Sequence, residues 1–512
     1  MRLALVLATG AATCACGDQR PHGSGADSAR VTTGASTTAT PIQHLVVIFP
    51  ENVSFDHYFG TYPVAANPSG QPAFHAATGT PHVDGLTTAL LTNNPNGANP
   101  RRLDRSEPFT CDNGHSYTAE QTAFNHGLMD KFISSTGPTA AGCDRTGVMN
   151  YYDGNTVTAL WSYAQRFAMS DNSHDATFGP TVPGHFNLIA GQTHGAVVTS
   201  GRTNAVVNGT LIGNASAKYE DCTTPGAARV AMSGRNIGDL LFTGKVTWGY
   251  FSDGFRTTSR TVNGTAICAA KHANLAGKVY RDYIAGAGTE PFQFWASTAN
   301  PHHLLPRTVN EIGNPSPAHH QYDLSHFWQA AGAGRLPAVS FIKPAVYQNA
   351  HPGNSDPLDE QRFLVNTINR IQRLPTWSST AIVIAYDDSD GWYDHQLVQP
   401  LNSSHDAARD VLSGPGRCGQ GTALGGYLDR CGPGPRQPLL VISPYAKRNT
   451  VDHTLTTQVS VTRFIEDNWL HSQRLGGGSF DATAGSLSGL FDFANPDIRP
   501  LILDPSTGLL VS

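Results

Sequence analysis

The stretch that decides the fold class of this 512-residue chain is Ala381-Ile382-Val383-Ile384-Ala385-Tyr386-Asp387-Asp388-Ser389-Asp390-Gly391-Trp392-Tyr393-Asp394-His395. Its first five residues are apolar and three of them are β-branched, which predicts a buried strand of an α/β sheet. Four carboxylates and a histidine follow directly. Because ligands of open α/β sheets bind at the carboxyl ends of strands, this run predicts a metal or phosphate site. The alternative is a solvated acidic loop in which Asp390-Gly391 forms a turn.

Strands and helices alternate along the rest of the chain. Apolar runs predict further strands at 44–49, 337–342 and 439–442, and helical spacing predicts helices at 156–169, 356–374 and 456–470. Asp356 and Pro357 have the types expected of an N-cap and a first helical residue. This alternation predicts an α/β fold with a mainly parallel central sheet sandwiched by helices. The Gly- and Asn-rich segments at about 61–155 and 200–290 predict long insertions that form a lid or a substrate wall.

Composition excludes several classes of protein. Only 14% of the residues are charged, and 52 Gly and 33 Pro indicate a loop-rich globular protein. The net charge of -5 provides no basic surface for nucleic acid, so no nucleic-acid partner is predicted.

The N-terminal residues are typical of an export signal. Residues 1–16 predict a signal peptide whose apolar part is too short to span a bilayer, and residues 17–41 predict a flexible leader. Cys14 and Cys16 leave a lipid anchor open. Residues 42–512 then form one domain with insertions. We expect an exported protein, periplasmic or secreted, without a transmembrane segment in the mature chain.

Six further cysteines are expected to form disulfides, because an even number in an exported chain favours them. Pairing in sequential order is predicted, namely Cys111–Cys143, Cys222–Cys268 and Cys418–Cys431. Thiolate zinc sites are not expected, because no CxxC pair occurs among these six.

A second strand end carries polar side chains. Glu51 and Asn52 follow the predicted strand 44–49, and they add carboxylate and amide oxygens to those of Asp387 and Asp388. An all-oxygen set suits a divalent cation, although it does not identify the metal. The alternative is that Asn52 or Ser54 caps a short helix.

A third segment offers a hydroxyl group. Thr181 follows the Gly179-Pro180 turn and opens a predicted helix, where backbone donors would hold a phosphate. A neighbouring cation would lower the hydroxyl pKa and make Thr181 a nucleophile. The alternative is a helix cap. Histidines in loops are either surface residues or groups that bind phosphate and protonate a leaving group, and spacing alone does not choose among His115, His302, His303, His319, His320 and His351.

Residues 42–60 resemble the opening signature of the bacterial phosphoesterase family that contains acid phosphatases and non-zinc phospholipases C. Residues 386–395 resemble its later acidic signature, and residues 462–466 are similar to its closing helix. The family is similar in its core to alkaline phosphatases. The resemblance implies a metal held by Glu51, Asn52, Asp387 and Asp388, with Thr181 at the nucleophile position beside the metal. It also implies phosphate contacts from His115, His303 and His351, with His302 as an ambiguous neighbour.

Two features of the resemblance imply different substrates. The sequence Asp387-Asp388-Ser389-Asp390-Gly391 resembles the acid phosphatase branch, whereas a threonine after Gly-Pro resembles the phospholipase branch. We expect an exported, metal-dependent phosphoric ester hydrolase, namely an acid phosphatase that acts on phosphomonoesters through a phospho-threonine intermediate. One alternative is a phospholipase C that acts on phosphatidylcholine-type lipids. Another is a non-catalytic surface binding protein. The expected partner is a phosphate ester, either a small molecule or a phospholipid headgroup.

Overall fold

The computed structural model of the protein describes residues 38–285 and 290–511. The predicted signal peptide and nearly all of the predicted leader lie outside these residues. The α-helices in the described part of the chain are α1 (Phe55–Phe59), α2 (Thr88–Thr92), α3 (Tyr117–Phe124), α4 (Phe132–Ser135), α5 (Thr158–Arg166), α6 (Thr181–Ala190), α7 (Ile237–Thr243), α8 (Leu324–Gly332), α9 (Pro357–Ile371) and α10 (Gln458–Trp469).

The β-strands of the same residues form one large sheet and several small ones. In chain order they are β1 (His44–Ile48), β2 (Ala168–His174), β3 (Ala196–Ser200), β4 (Val206–Val207), β5 (Thr210–Leu211), β6 (Ser216–Ala217), β7 (Arg229–Met232), β8 (Trp248–Ser252), β9 (Ser259–Arg260), β10 (Ala266–Ile267), β11 (Lys271–Ala273), β12 (Val279–Arg281), β13 (Gln321–Asp323), β14 (Val339–Lys343), β15 (Thr380–Ala385), β16 (Arg436–Ile442), β17 (Thr450–Asp452) and β18 (Thr456–Thr457).

The large sheet has nine strands in the order β13-β8-β14-β1-β15-β16-β2-β17, and β18 also pairs with β2. Strands β13, β8, β14, β1 and β15 are parallel neighbours. Strand β16 runs antiparallel to both β15 and β2. The sheet is therefore mixed, and the prediction of a mainly parallel sheet was wrong. An apolar run such as 439–442 predicts a buried strand, but it carries no information about the direction of that strand.

The two faces of the sheet are covered by two separate cores. Side chains alternate along β15, so that Ala381 and Val383 belong to one cluster while Ile382 and Ile384 belong to the other. Helices α5, α8 and α9 contribute to the cluster with Ile382, and helices α6, α7 and α10 contribute to the other. All six residues of β15 are buried, which explains why this strand is apolar without alternation.

The predicted helices exist with shifted ends. Helix α9 begins after Asp356, whose side chain accepts hydrogen bonds from the backbone N–H groups of Leu358 and Asp359, as predicted for an N-cap. The predicted helix 156–169 is shorter, because Arg166 is its last residue and Ala168 already begins β2. Strand β2 is rich in Ser, Asp and Asn, and this polar sequence explains why the apolar pattern did not predict it as a strand.

The three predicted disulfides are confirmed. Cys111–Cys143, Cys222–Cys268 and Cys418–Cys431 are all bonded. The first two lie within the predicted insertions. In the described residues, no helix has both the length and the apolar character needed to cross a membrane.

Candidate active site

Three parallel strands end at one edge of the sheet and bring the polar groups together. Glu51 and Asn52 follow β1, Asp387 and Asp388 follow β15, and Lys343 is the last residue of β14. The backbone N–H of Asn52 donates to Asp387 Oδ1 at 3.1 Å, and that of Val53 donates to the Asp388 carbonyl at 2.9 Å. The sequence therefore predicted correctly that two strand ends build one cluster.

Lys343 was not predicted. Its Nζ lies 2.8 Å from Glu51 Oε1 and 3.6 Å from Asp387 Oδ2, and its side chain is fully buried. The ammonium group thus compensates part of the negative charge at this edge. A lysine at the end of a buried apolar strand was the signal that could have revealed it, since buried lysines are rare unless they are paired.

Four side-chain oxygens at this edge accept no hydrogen bond in the described structure, although Glu51 Oε1 forms an ion pair with Lys343 Nζ at 2.8 Å. They are Glu51 Oε1, Asn52 Oδ1, Asp387 Oδ2 and Asp388 Oδ2. Their residues are at most 3% exposed. Buried polar atoms without partners are rare in native proteins, and each requires an explanation. The oxygens belong to the four residues that the resemblance implied as metal ligands, and a divalent cation would satisfy all of them.

The electrostatics of the cluster also favour a cation. Burial raises the pKa of Asp387 well above its usual range, and the carboxylates of Asp388 and Glu51 add to this rise, while Lys343 opposes it. Burial likewise raises the pKa of Glu120 and Asp175, which lie beside the cluster. The solvated acidic loop is excluded, because Asp387 and Asp388 are fully buried.

Asp390 holds Asn52 in place. Asn52 Nδ2 donates to Asp390 Oδ1 at 3.0 Å, while the backbone N–H and Nδ2 of Asn113 both donate to Asp390 Oδ2 at 3.1 Å. Because Asp390 binds the side-chain nitrogen of Asn52, the orientation of the amide is fixed and its Oδ1 has no hydrogen-bond partner. Asn52 also has a φ of 61°, and such backbone conformations of non-glycine residues concentrate at functional sites. The N-cap of α1 is Ser54, so capping does not explain Asn52.

Thr181 is the first residue of α6, and its hydroxyl makes no hydrogen bond to any described residue. The cap position is taken by Pro180, so Thr181 is not an N-cap. The first turn of α6 packs on Asp387. A Cβ at Gly184 would lie 1.9 Å from the Asp387 carbonyl oxygen, and His185 Nδ1 lies 3.5 Å from Asp387 Oδ2. The helix therefore brings Thr181 to the same strand end as the carboxylates.

His115 and His351 lie beside Asp388. Burial raises the pKa of the Asp388 carboxyl above its usual value, and both histidines oppose this rise. His115 Nδ1 donates to the Asn113 carbonyl at 2.9 Å, and His351 Nδ1 donates to the Pro352 carbonyl at 2.7 Å. Since a carbonyl only accepts, the neutral rings carry their proton on Nδ1. Nε2 of each ring makes no hydrogen bond to a described residue and is available to a ligand.

His303 lies elsewhere. Its Nδ1 is 2.7 Å from the Phe255 carbonyl and its Nε2 is 2.7 Å from Glu220 Oε1, while its side chain is fully buried. Both nitrogens are thus engaged, and the structure does not bring His303 to the carboxylates. Its neighbour His302 is exposed and pairs with Asp221 at 3.0 Å. The sequence could not separate these histidines from His115 and His351, because all four lie in loops.

Two other acidic or sulfur clusters do not resemble a metal site. Asp56, Asp394 and His395 lie close together, but the buried guanidinium of Arg436 already pairs with both carboxylates at 3.0 and 3.1 Å. The cluster of Cys222, Cys268 and His303 contains a disulfide, so it offers no thiolate. A third cluster, which joins His351 with Asp112 and Asp390, borders the candidate active site itself.

Comparisons with known proteins agree with these motifs. The family model described as "Phosphoesterase family" matches residues 42–470. "Phospholipase C A" of Mycobacterium tuberculosis is 23% identical over 92% of this chain and 81% of that protein. "Non-hemolytic phospholipase C" of Pseudomonas aeruginosa is 24% identical over 91% of this chain and 59% of that protein. "Non-specific phospholipase C3" of Arabidopsis thaliana is 22% identical over 82% of this chain and 66% of that protein.

Proposed function

The chain belongs to the phosphoesterase family, and from this premise we propose that it is an exported, metal-dependent phosphoric ester hydrolase with Thr181 as its nucleophile. The unpartnered oxygens of Asn52, Asp387 and Asp388, next to the Glu51 carboxylate that pairs with Lys343, carry this proposal, because one divalent cation would bind all of them. An alkaline-phosphatase-like core is part of the same proposal, and the location of these groups at the carboxyl ends of parallel strands supports it.

The metal would be held by these four residues and by the Thr181 hydroxyl. When bound, it would stabilise the alkoxide form of Thr181 and the negative charge that develops on a phosphate oxygen. Its identity stays open among calcium, magnesium, zinc, manganese and iron, since oxygen donors admit several ions. Lys343 would remain beside it as a fixed positive charge that offsets the repulsion between Glu51 and Asp387.

Thr181 Oγ1 would lose its proton to water and attack phosphorus, and the bond from phosphorus to the ester oxygen would break. The departing oxygen needs a proton, which His351 or His115 would donate from Nε2 when its ring is in the imidazolium form, and the neutral ring that results keeps its proton on Nδ1. Water would then attack the phospho-threonine, so that phosphate leaves and the hydroxyl is restored. Of the three histidines implied by the resemblance, only His303 has no part in this proposal, because Glu220 and Phe255 occupy both of its nitrogens.

Two substrate classes fit this chemistry. The Asp387-Asp388-Ser389-Asp390-Gly391 run supports an acid phosphatase that acts on phosphomonoesters. The names of the relatives support a second candidate, a phospholipase C, because the three relatives described above are phospholipases C. Hydrolysis of p-nitrophenyl phosphate compared with that of phosphatidylcholine, with and without chelator, distinguishes the two. A binding protein without catalysis would hydrolyse neither substrate.

Replacement of the nucleophile tests the mechanism. Thr181→Ala removes the attacking oxygen, and we expect the turnover number to fall by at least about three orders of magnitude, as for the loss of other catalytic nucleophiles. Thr193→Ala is the matched control, since Thr193 is a buried threonine beyond the other end of α6 whose hydroxyl also lacks a partner among the described residues. Turnover of Thr181→Ala at the level of the control would exclude Thr181 as nucleophile.

A further inference from the structure

Two β-hairpins within residues 256–281, here called the two-hairpin surface, expose apolar side chains to solvent. The first pairs β9 with β10 and the second pairs β11 with β12. Val262 in the turn of the first hairpin is fully exposed (103%), and the second hairpin exposes Leu275 (42%) and Val279 (62%). Several large exposed apolar residues that belong to one short segment are typical of an interaction surface.

The same surface is strongly basic. Residues 256–281 contain five cationic residues and no carboxylate, although the whole chain has a net charge of -5. All five are exposed, and none forms an ion pair with another described residue; they are Arg256, Arg260, Lys271, Lys278 and Arg281. Carboxylates of neighbouring segments contact the hairpins: Asp221 accepts from the backbone of Ala266, the buried Asp359 accepts from the backbone of Leu275, and the buried Asp282 pairs with His272. The exposed charge of these hairpins is therefore mainly positive, whereas the net charge of the chain is negative, and this favours an anionic partner.

The second hairpin packs against the two loops that carry the histidines of the candidate active site. Tyr280 Oη donates to the Gly353 carbonyl at 2.8 Å, and Asn274 Nδ2 donates to the Asn354 carbonyl at 3.1 Å, close to His351 in the chain. Lys278 Nζ lies 3.5 Å from the centre of the Phe109 ring, in the loop that leads to His115. The hairpin therefore borders the candidate active site.

The first hairpin is anchored to the neighbouring insertion. The Cys222–Cys268 disulfide joins the end of β10 to the segment before β7. Arg260 Nη2 donates to the His302 carbonyl at 2.7 Å and its Nη1 donates to the Gly264 carbonyl at 3.0 Å, so its guanidinium links the turn of the hairpin to the segment that contains His302. Since both hairpins are fixed at their bases, their exposed apolar residues are held in place without support from a partner.

We propose that the two-hairpin surface docks on an anionic lipid surface. The side chains of Val262, Leu275 and Val279 enter the interfacial region, while the surrounding lysines and arginines contact lipid phosphates. Basic residues alone would also suit a soluble polyanion, but the exposed valines and leucine have no role there. The hydrolase proposal enters only as the reason why docking here is useful: it holds the candidate active site close to headgroups.

Vesicle sedimentation tests this proposal without reference to turnover. The full chain is mixed with vesicles of phosphatidylcholine alone or with added phosphatidylglycerol, and pelleted protein and lipid phosphorus are measured. We expect binding to the anionic vesicles that weakens as salt is raised. The variant Val262→Asp/Val279→Asp and the variant Lys271→Glu/Arg281→Glu should each bind roughly tenfold more weakly or worse, because each cation near the membrane contributes appreciably to binding.

The control variant is Ile498→Asp/Arg335→Glu, which changes one exposed apolar and one exposed basic residue outside the hairpins. Ile498 is 61% exposed, like Val279, and both control residues adjoin the opposite ends of the strands. The control should bind like the wild type. Equal binding of all variants, absence of wild-type binding to anionic vesicles, or equal loss in the control would each overturn the proposal. The proposal would also be overturned if the protein bound heparin more tightly than vesicles and if Val262→Asp/Val279→Asp did not weaken vesicle binding.

Discussion

At the scale of single residues, the candidate active site combines predicted ligands with groups that only the fold reveals. The sequence identified Glu51, Asn52, Asp387 and Asp388, because carboxylates and amides after apolar strands are visible in one dimension. It did not identify Lys343, whose role depends on the parallel pairing of β14 with β1. The sequence also could not exclude His303 as a phosphate-binding residue, because the contact of His303 with Glu220 joins residues 83 positions apart.

The ion pairs of Lys343 predict an effect of its substitution on stability. Lys343→Met removes the buried ammonium between Glu51 and Asp387 and leaves their repulsion uncompensated. We expect the free energy of unfolding in chelator to fall by about 3–5 kcal/mol, as when one partner of a buried ion pair is lost. Added divalent metal should recover part of this loss, because a ligand that binds the folded state stabilises it. Denaturant unfolding with and without metal measures both effects.

Lys245→Met is the control for this change, since Lys245 is exposed just beyond α7. Its effect should stay within about 0.5 kcal/mol, the usual range for surface substitutions. If Lys343→Met is as stable as this control in chelator, the ion pairs of Lys343 do not compensate the carboxylates.

At the scale of elements, helix α6 and strand β15 must approach closely to form the site. Gly184 permits this approach, because any Cβ there would collide with the backbone of Asp387. A glycine in the first turn of a helix is ordinarily unfavourable, so the sequence contained the signal. The predicted strands and helices on both sides of this contact exist. The direction of β16 was not predictable, since antiparallel pairing of a buried strand follows from the path of the whole chain.

Gly184→Ala tests the contact between these two elements. The added methyl group would lie 1.9 Å from the Asp387 carbonyl oxygen, so α6 has to move away from the strand end. We expect a loss of about 1–3 kcal/mol in unfolding free energy, as for other overpacked sites. Because Thr181 moves with the helix, turnover should fall as well. Thermal or denaturant unfolding and a p-nitrophenyl phosphate assay measure the two effects.

Gly332→Ala is the matched control, because Gly332 also lies in a helix but a Cβ there would meet no atom within 4 Å. It should stabilise the protein by about 0.5–1 kcal/mol through helix propensity. Wild-type activity and stability in Gly184→Ala would mean that α6 does not depend on this close approach.

At the scale of the whole molecule, a buried charge network ties distant segments together behind the site. Arg436 on β16 pairs with Asp56 of α1 and with Asp394 beyond the acidic run. His395 pairs with Asp56 at 2.7 Å and with Asp84 at 3.2 Å. These contacts link α1, β16 and the segment after β15. A sequence-based prediction cannot find such a network, because its members lie up to 380 positions apart.

This network predicts a pH dependence of stability. Burial opposes protonation of His395, but Asp56 and Asp394 overcome this effect and raise its pKa to about 9, from an ordinary value of 6.5. A raised pKa in the folded state stabilises the fold at low pH, and that stabilisation disappears as pH rises through the folded value. The contribution of His395 should therefore be complete below about pH 6.5 and lost above about pH 9.

The variant His395→Gln isolates this contribution. Unfolding free energies of wild type and variant should differ by up to about 3 kcal/mol near pH 6 and converge near pH 9.5. The charged side chains that face His395 are present in both proteins, namely Asp56, Asp84, Asp394 and Arg436. Burial raises the pKa of Asp394 to about 6 and the His395 charge opposes this rise, so the difference near pH 6 includes the response of Asp394. A difference that stays constant with pH would show that His395 is not charged in the folded protein.

The metal content of the purified protein tests the central claim most directly. Elemental analysis measures the metal bound per chain in wild type, in Asp387→Asn and in the control Asp492→Asn. Asp492 is a partly exposed carboxylate away from the site. We predict a stoichiometric divalent metal in wild type and in Asp492→Asn, and its loss from Asp387→Asn, which should remain folded by circular dichroism. Two results would contradict the metal site. One is wild-type protein that holds no divalent metal even after incubation with the five candidate ions, and the other is an undiminished metal content in Asp387→Asn.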